Sequence, residues 1–197
     1  MKNKSKIIFI GTLAVQLIVV IVLLSKNILI KKSAEKNNRI YSFDCTYYDP
    51  YNILKGRYVQ LYLTAATAQK EQLDSESLKT TDLLENEMVY VLISPNEEGL
   101  WNITGIRRKK PKSGDFIKAK YLYSIAERCF FDLLISEYYM QENYAAIADR
   151  KLTSSAFDKV KLDIYSNGKG EILQKQLYVS VNSNFMPIEE YIKNNLN

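Results

Sequence analysis

The chain has 197 residues, 47% of them hydrophobic and 25% charged, with no histidine and only two cysteines. The lack of histidine excludes imidazole bases and zinc sites of the Cys/His type, and two cysteines are too few for a disulfide-stapled scaffold. Residues 1–40 carry eight Lys or Arg against one acidic residue, whereas residues 41–197 carry 19 against 21. The net charge of +5 therefore belongs to the N-terminal part, and no nucleic-acid partner is expected.

An uncharged segment runs from residue 7 to residue 24, and only three of its side chains are not strongly apolar. A helix needs about 20 residues to cross the hydrocarbon core, and Lys26 can reach the interface if the helix extends further. We therefore predict a helix over residues 7–30 that spans the lipid bilayer. A buried core helix would need a polar face, and a cleaved signal peptide would need a small-x-small site, neither of which is visible.

Basic residues flank both ends of this helix, so the positive-inside rule does not decide its orientation. Six residues precede the apolar run, and a long domain that follows a helix is translocated largely regardless of its charge. These observations predict a signal-anchor in the cell membrane, with residues 1–6 in the cytoplasm and residues 41–197 outside it. The polar residues 31–40 are predicted to form a short stalk at the lipid headgroups.

Period-2 alternation and turn residues predict most of the following elements. Strands are expected over residues 41–47 and 58–64, followed by a long polar loop over residues 65–87 with at most one helical turn. The segments 88–93 and 100–106 flank PNEEG and predict a hairpin, and residues 115–123 predict another strand. From residue 124 to residue 150 the apolar spacing changes to three and four, which predicts one or two helices.

The C-terminal part returns to strands over residues 157–165 and 171–181. The Asn167-Gly168 pair between them is a strong hairpin signal, and Pro187 marks the start of a final helical turn. The fold class is therefore α+β, with a single transmembrane helix followed by a strand-dominated antiparallel domain that has one helical insertion.

Residues 49–61, DPYNILKGRYVQL, resemble the DP-x-x-L-x-GDY-x-x-L-x-Y signature of the GDYXXLXY family of membrane-anchored proteins. Residues 123–131, YSIAERCFF, are similar to the family's Y-G-x-E-R-aromatic-F segment with one residue inserted. Arg57 stands where the family has its Asp, Leu63 where it has its last Tyr, and Cys129 where an aromatic is usual. The resemblance implies a single-pass anchor with an extracytoplasmic domain and no established chemistry.

The positions that match the family signature are the candidate binding site. Pro50 restricts the backbone and Gly56 can adopt a positive φ, so the segment can form a tight corner in front of a strand. A corner with core aromatics is one interpretation, and a groove that binds a partner is the other. The candidate binding residues are Asp49, Pro50, Gly56, Tyr58, Leu61, Glu127 and Arg128.

The leading hypothesis is a non-catalytic binding or accessory module for an unknown membrane or envelope protein. The sequence contains no recognisable nucleophile–base pair, and we predict no catalytic residue, cofactor or metal ligand. The alternative is a carboxylate-dependent hydrolase with Glu127 as base and Arg128 as electrostatic stabiliser, which requires a concave pocket around them. Two structural salt bridges at the start of a helix would also account for this pair.

A basic cluster at residues 107–112 and the two cysteines complete the candidate sites. The cluster is expected at a solvated loop tip, but each Lys or Arg near anionic headgroups would contribute about 1 kcal/mol, so a lipid-headgroup binder is a further alternative. Cys45 and Cys129 are expected as two buried thiols, with one disulfide as the alternative in an oxidising compartment. The residues predicted for lipid or anion contact are Arg107, Arg108, Lys109 and Lys110.

Overall fold

A computed structural model describes residues 2–48, 58–70, 83–135, 137–141, 143–144, 147–148, 151 and 157–195. A long N-terminal helix is followed by a domain that consists mainly of strands. The elements with described bounds are α1 (Lys2–Lys36), β1 (Ile40–Tyr48), β2 (Tyr58–Leu63), a 3-10 turn (Thr64–Ala66), β3 (Thr67–Gln69), β4 (Met88–Pro95), β5 (Trp101–Arg107), β6 (Phe116–Ile125), β7 (Arg128–Asp132), β8 (Glu137–Tyr139), β9 (Val160–Ser166), β10 (Ile172–Val181), β11 (Asn184–Pro187) and α2 (Ile188–Asn194).

The strands form two antiparallel sheets. The six-stranded sheet has the order β11-β10-β9-β1-β2-β8, and the five-stranded sheet has the order β3-β7-β6-β4-β5. Both sheets curl strongly, as contacts across each sheet show. In the five-stranded sheet, the opposite edge strands β3 and β5 approach each other. In the other sheet, the side chain of Gln174 on β10 donates a 2.5 Å hydrogen bond to the carbonyl oxygen of Glu137 on the edge strand β8.

One hydrophobic core joins the two sheets. The strands supply it by alternation, since successive side chains of a strand point to opposite faces. On β4, for example, Val89, Val91 and Ile93 are buried, while the residues between them are partly exposed. The predicted α+β class with a strand-dominated antiparallel domain is confirmed.

Several predicted elements are confirmed in position and pairing. β4 and β5 form the expected antiparallel hairpin, and β9 and β10 pair across the turn that contains Asn167 and Gly168. Helix α2 begins directly after Pro187. Two short strands, β3 and β11, were not expected, because three or four residues are too few to show a periodic pattern.

The prediction of helices from residue 124 is wrong up to residue 141. In this region β6 continues to Ile125, and β7 and β8 follow. Buried side chains alternate here with period 2, but aromatic and aliphatic residues on the outer face obscure the pattern. The buried positions from residue 124 to residue 135 are Cys129, Phe131, Leu133 and Ile135, and Tyr138 is buried in β8. Within the described part of the segment, helical residues occur only at 143–144, 147–148 and 151.

Helix α1 is long and apolar enough to span a membrane, by its length and composition. The large apolar side chains that are described between Phe9 and Leu24 are 52–69% exposed. Near its C-terminal end, however, Ile30 and Ala34 are buried against Tyr165 of β9. Residues 31–36 of the segment predicted as a separate stalk are therefore helical, and the small Ala34 side chain allows close contact between the helix and the domain.

Candidate functional site

The corner predicted as the centre of the binding site is only partly described. Asp49, Pro50 and Gly56 lie outside the described residues. Tyr58 is the first residue of β2, and its backbone pairs with the edge strand β8. Leu61 is 3% exposed and belongs to the core, so its role in the structure is packing. The position of Leu61 supports the interpretation of this strand as part of the core.

Glu127 and Arg128 lie at the turn between β6 and β7, in the five-stranded sheet, rather than at the start of a helix. Ala126 in this turn has φ 51°. Lys70 fixes the turn, because its backbone N–H donates to the carbonyl of Glu127 (2.8 Å) and its Nζ donates to that of Ala126 (2.6 Å). The turn thereby places Glu127 and Arg128 on the protein surface.

The side chains of Glu127 and Arg128 are both exposed and, among the described residues, form no hydrogen bond or ion pair. The salt bridges considered for this pair are therefore not present in the described part of the chain. The two residues also lie in a different sheet from Tyr58 and Leu61. The described members of the predicted site thus belong to two different sheets, and Leu61 is buried in the core while Glu127 and Arg128 are exposed.

Exposed aromatic and aliphatic side chains lie next to this turn, on the outer face of the sheet. The rings of Tyr123 and Phe130 are in contact at 4.8 Å between centroids, and Ile125 beside them is 63% exposed. Tyr62 reaches the same region from β2, because its hydroxyl shares a 2.8 Å hydrogen bond with Thr67, which pairs with Phe130. We call Tyr62, Tyr123, Ile125 and Phe130 the outer aromatic surface.

The outer aromatic surface can bind but offers little chemistry. Tyr62 and Tyr123 are 48% and 46% exposed, so large apolar areas face solvent. Arg128 borders this surface, since it is the β-sheet partner of Ile125. An exposed apolar patch with a polar rim is typical of protein-interaction sites, and aromatic and Arg side chains are enriched there. The residues of this patch, except for Arg128, were not predicted as site residues.

The basic cluster follows β5, and its members differ in their contacts. Arg108 forms an ion pair with Glu87, with Nε and Oε1 2.6 Å apart. This hydrogen bond holds the pKa of Glu87 below its usual range. Arg107 donates to the carbonyl of Ile106 at 2.9 Å, and Lys110 lies 6.0 Å from the centroid of a phenylalanine ring. Lys109 and Lys110 are exposed, in keeping with a solvated loop.

Cys45 and Cys129 are both buried free thiols. They belong to different sheets, since Cys45 is on β1 and Cys129 on β7. Burial is the main cause that raises the pKa of the Cys45 thiol. The disulfide considered for these residues is absent from the structure, and the thiolate form that reacts is disfavoured at Cys45.

A groove of about 300 Å³ lies between β8 and the start of β10. It contains one carboxylate, and neither Glu127 nor Arg128 lines it, so this groove is not the pocket that the hydrolase alternative requires. Its lining residues are Leu134, Ile135, Glu137, Tyr139, Ile172, Leu173 and Gln174. Across the described residues, no cluster of three or more His, Cys, Asp or Glu side chains could hold a metal ion.

A partly buried polar network connects α2 to the six-stranded sheet. Tyr138 donates to Oε1 of Glu189 at 2.8 Å, and Gln176 donates to Oε2 of the same carboxylate at 2.6 Å. Burial, followed by the hydrogen bond to Glu189, raises the pKa of the Tyr138 hydroxyl. Tyr138 therefore remains protonated as a donor, and the network has a structural role.

A family model described as GDYXXLXY protein matches residues 20–177. The chain belongs to the GDYXXLXY family. The match begins inside α1 and ends in β10, so it includes the part of the helix that packs on the domain and also the outer aromatic surface. No curated protein and no solved structure matches the chain significantly.

One departure from the GDYXXLXY signature can be placed in the fold. Leu63, at the position of the last Tyr, is 4% exposed and packs in the core at the end of β2. An aliphatic side chain is therefore compatible with this site. Tyr62, one residue earlier, points outward and is an aromatic residue that this strand presents to solvent. Alternation along β2 was the sequence signal for this exposed tyrosine.

Proposed function

We propose that this GDYXXLXY protein is a single-pass membrane protein whose β domain binds a membrane or envelope protein outside the cytoplasm, without catalysis. The observation that carries this proposal is the outer aromatic surface. Its Tyr and Phe side chains provide large contact areas with few rotatable bonds, which lowers the entropic cost of binding. The partner is expected to present an apolar patch with an acidic group opposite Arg128.

Helix α1 supports the membrane location. Exposure of its apolar side chains to water would be unfavourable. Full burial of each such side chain contributes about 1.5–3 kcal/mol. A bilayer would cover all of them at once. The proposed orientation, with the domain outside the cytoplasm, is supported by the long domain after the helix, because such a domain is translocated largely regardless of its charge.

The two alternative functions receive less support from the geometry. A hydrolase centred on Glu127 would need this carboxylate in a cavity beside a second titratable group, whereas Glu127 lies on an exposed turn. A lipid binder based on residues 107–112 would depend mainly on its exposed lysines, because Arg108 is already engaged with Glu87. We therefore assign binding to the outer aromatic surface.

The test is site-specific photocrosslinking of the full chain in native membranes. A photoreactive residue at Ile125 should yield one defined crosslinked protein, and a photoreactive residue at the exposed Glu97, in the β4–β5 turn, should not. The substitution Phe130→Ser should reduce the yield from position 125, because it removes the adjacent ring. Equal yields from positions 125 and 97, or no effect of Phe130→Ser, would contradict the proposal.

A further inference from the structure

The β9–β10 hairpin points along α1 toward the apolar part of that helix. Successive contacts show its direction, because residues nearer to the hairpin tip touch earlier residues of the helix. The distances are 2.9 Å for Glu171 to Lys26, 3.3 Å for Ser33 to Asn167 and 3.4 Å for Tyr165 to Glu35. The tip, residues 167–171, therefore lies at the end of the domain that is nearest to the apolar run.

The height of the tip relative to a bilayer follows from helix geometry. The apolar run of residues 7–24 would be about 27 Å long as a helix, close to the hydrocarbon thickness of about 30 Å. Lys26 lies about 3 Å beyond the end of this run. The headgroup region on each side is roughly 5–7 Å thick, so the level of Lys26 lies within it. Ser33, which contacts Asn167, lies about 14 Å beyond the run, so the tip extends from the water side of the headgroups toward the level of Lys26.

The conformation of the tip leaves one side chain directed to the outside. The side-chain Oδ1 of Asn167 accepts hydrogen bonds from the backbone N–H groups of Lys169 (2.8 Å) and Glu171 (3.2 Å). Gly170 is buried, and its carbonyl accepts a 2.8 Å hydrogen bond from the backbone of Lys118. Among the five tip residues, Lys169 alone is exposed.

The charges near the tip favour an anionic ligand. The hydrogen bond from Lys26 holds the pKa of Glu171 below its usual range, and Lys118 acts in the same direction. The one carboxylate of the tip is thus matched by Lys26. Lys169 forms no hydrogen bond through its side chain within the described part of the chain, so its charge is available to a ligand.

We propose that the tip of the β9–β10 hairpin lies among the lipid headgroups and that Lys169 binds the phosphate of anionic phospholipids. This contact is separate from the basic cluster at residues 107–112. It rests on the proposed insertion of α1 into a bilayer. It would fix the orientation of the domain relative to the membrane surface in addition to its attachment through α1.

The position of the tip can be tested with the full chain in nanodiscs of phosphatidylcholine and phosphatidylglycerol. A fluorophore on Lys169→Cys should be quenched strongly by lipids with a nitroxide on the headgroup, and both native cysteines are buried, which limits their labelling. The control is Ser183→Cys, just beyond the other end of β10, about 30 Å along the strand. Equal quenching at both positions would overturn the proposal.

The charge contribution is tested with a fluorophore on Asn27→Cys, next to Lys26. Its quenching by nitroxide-labelled phosphatidylglycerol, divided by that with labelled phosphatidylcholine, measures local enrichment of the anionic lipid. Lys169→Gln should reduce this ratio by up to about fivefold, the factor for one lysine near an anionic surface, and Lys193→Gln should leave it unchanged. No decrease with Lys169→Gln would refute the role of Lys169.

Alkaline extraction of cell membranes separates the two levels of the account. If the wild-type chain is released into the soluble fraction, α1 does not span the bilayer, and both the membrane location and the headgroup contact fail. If the chain stays in the membrane while position 169 is not quenched, only the headgroup contact fails.

Discussion

Two hairpins of the same domain differ in how they are covered. The β9–β10 hairpin packs on α1 at one side, and its Gly170 lies against Lys118 and Tyr90 of the five-stranded sheet at another. The β6–β7 hairpin is fixed at its turn by Lys70 but leaves Ile125 exposed. Intramolecular contacts account for the residues at the first hairpin tip other than Lys169, whereas they do not account for the apolar residues of the second.

This difference separates residues that serve the fold from residues available for binding. Gly168 illustrates the first class, since an added Cβ would overlap the guanidinium of Arg39 and its φ is +70°. Ile125 illustrates the second, because folding alone would not require an exposed isoleucine beside two aromatic rings. The β6–β7 hairpin should accordingly tolerate substitution better than the β9–β10 hairpin.

The largest loss of stability is expected for substitution of Phe131 on β7, and its neighbour Phe130 provides the comparison. Phe131 is 3% exposed in the core, so Phe131→Ala should lower the free energy of unfolding by about 3–5 kcal/mol. Phe130→Ala, on the outer aromatic surface, should cost about 1 kcal/mol, mainly through the contact with Tyr123. Equilibrium unfolding of the full chain in detergent, followed by near-UV circular dichroism, measures both values. Similar losses for the two variants would contradict the separation of fold and surface.

A smaller effect is expected for glycines with positive φ. Gly170→Ala should cost about 2–3 kcal/mol, because a Cβ would meet the backbone nitrogen of Lys118 at 3.2 Å in addition to the strain of a φ of +90°. Gly99 has a φ of +76° and open space around it, so Gly99→Ala should cost only about 1 kcal/mol. The same unfolding measurement applies. Equal costs would indicate that the β9–β10 tip is not packed against β6.

Most of the fold could be predicted from the sequence, since local alternation and turn residues specify strands directly. The β9–β10 hairpin shows why: Asn167 and Gly168 provide the turn and apolar runs flank it. The region after residue 124 could not be assigned correctly. Phe130 and Leu134 are apolar residues at positions where an alternating strand pattern would have polar ones. The sequence spacing of apolar residues then fits a helix equally well.

The contact between α1 and the domain depends on tertiary packing that the sequence does not show. The sequence predicts Ile30 at the end of a transmembrane helix and Ala34 in a polar stalk, but both are buried against β9. Of the predicted binding residues, Arg128 borders the outer aromatic surface and Leu61 is in the core. Exposure of Tyr123 and Ile125 follows from the pairing of β6 with β7, which the helix prediction concealed.

The packing of the β9–β10 hairpin on α1, on which the proposed headgroup contact depends, is tested most directly by a distance measurement. Nitroxides on Asn27→Cys and Ser183→Cys, in the full chain in nanodiscs, report the separation between the helix and the far end of β10 by pulsed electron paramagnetic resonance. The account predicts a single narrow distance distribution. A broad distribution, as expected for a domain on a flexible stalk, would contradict it.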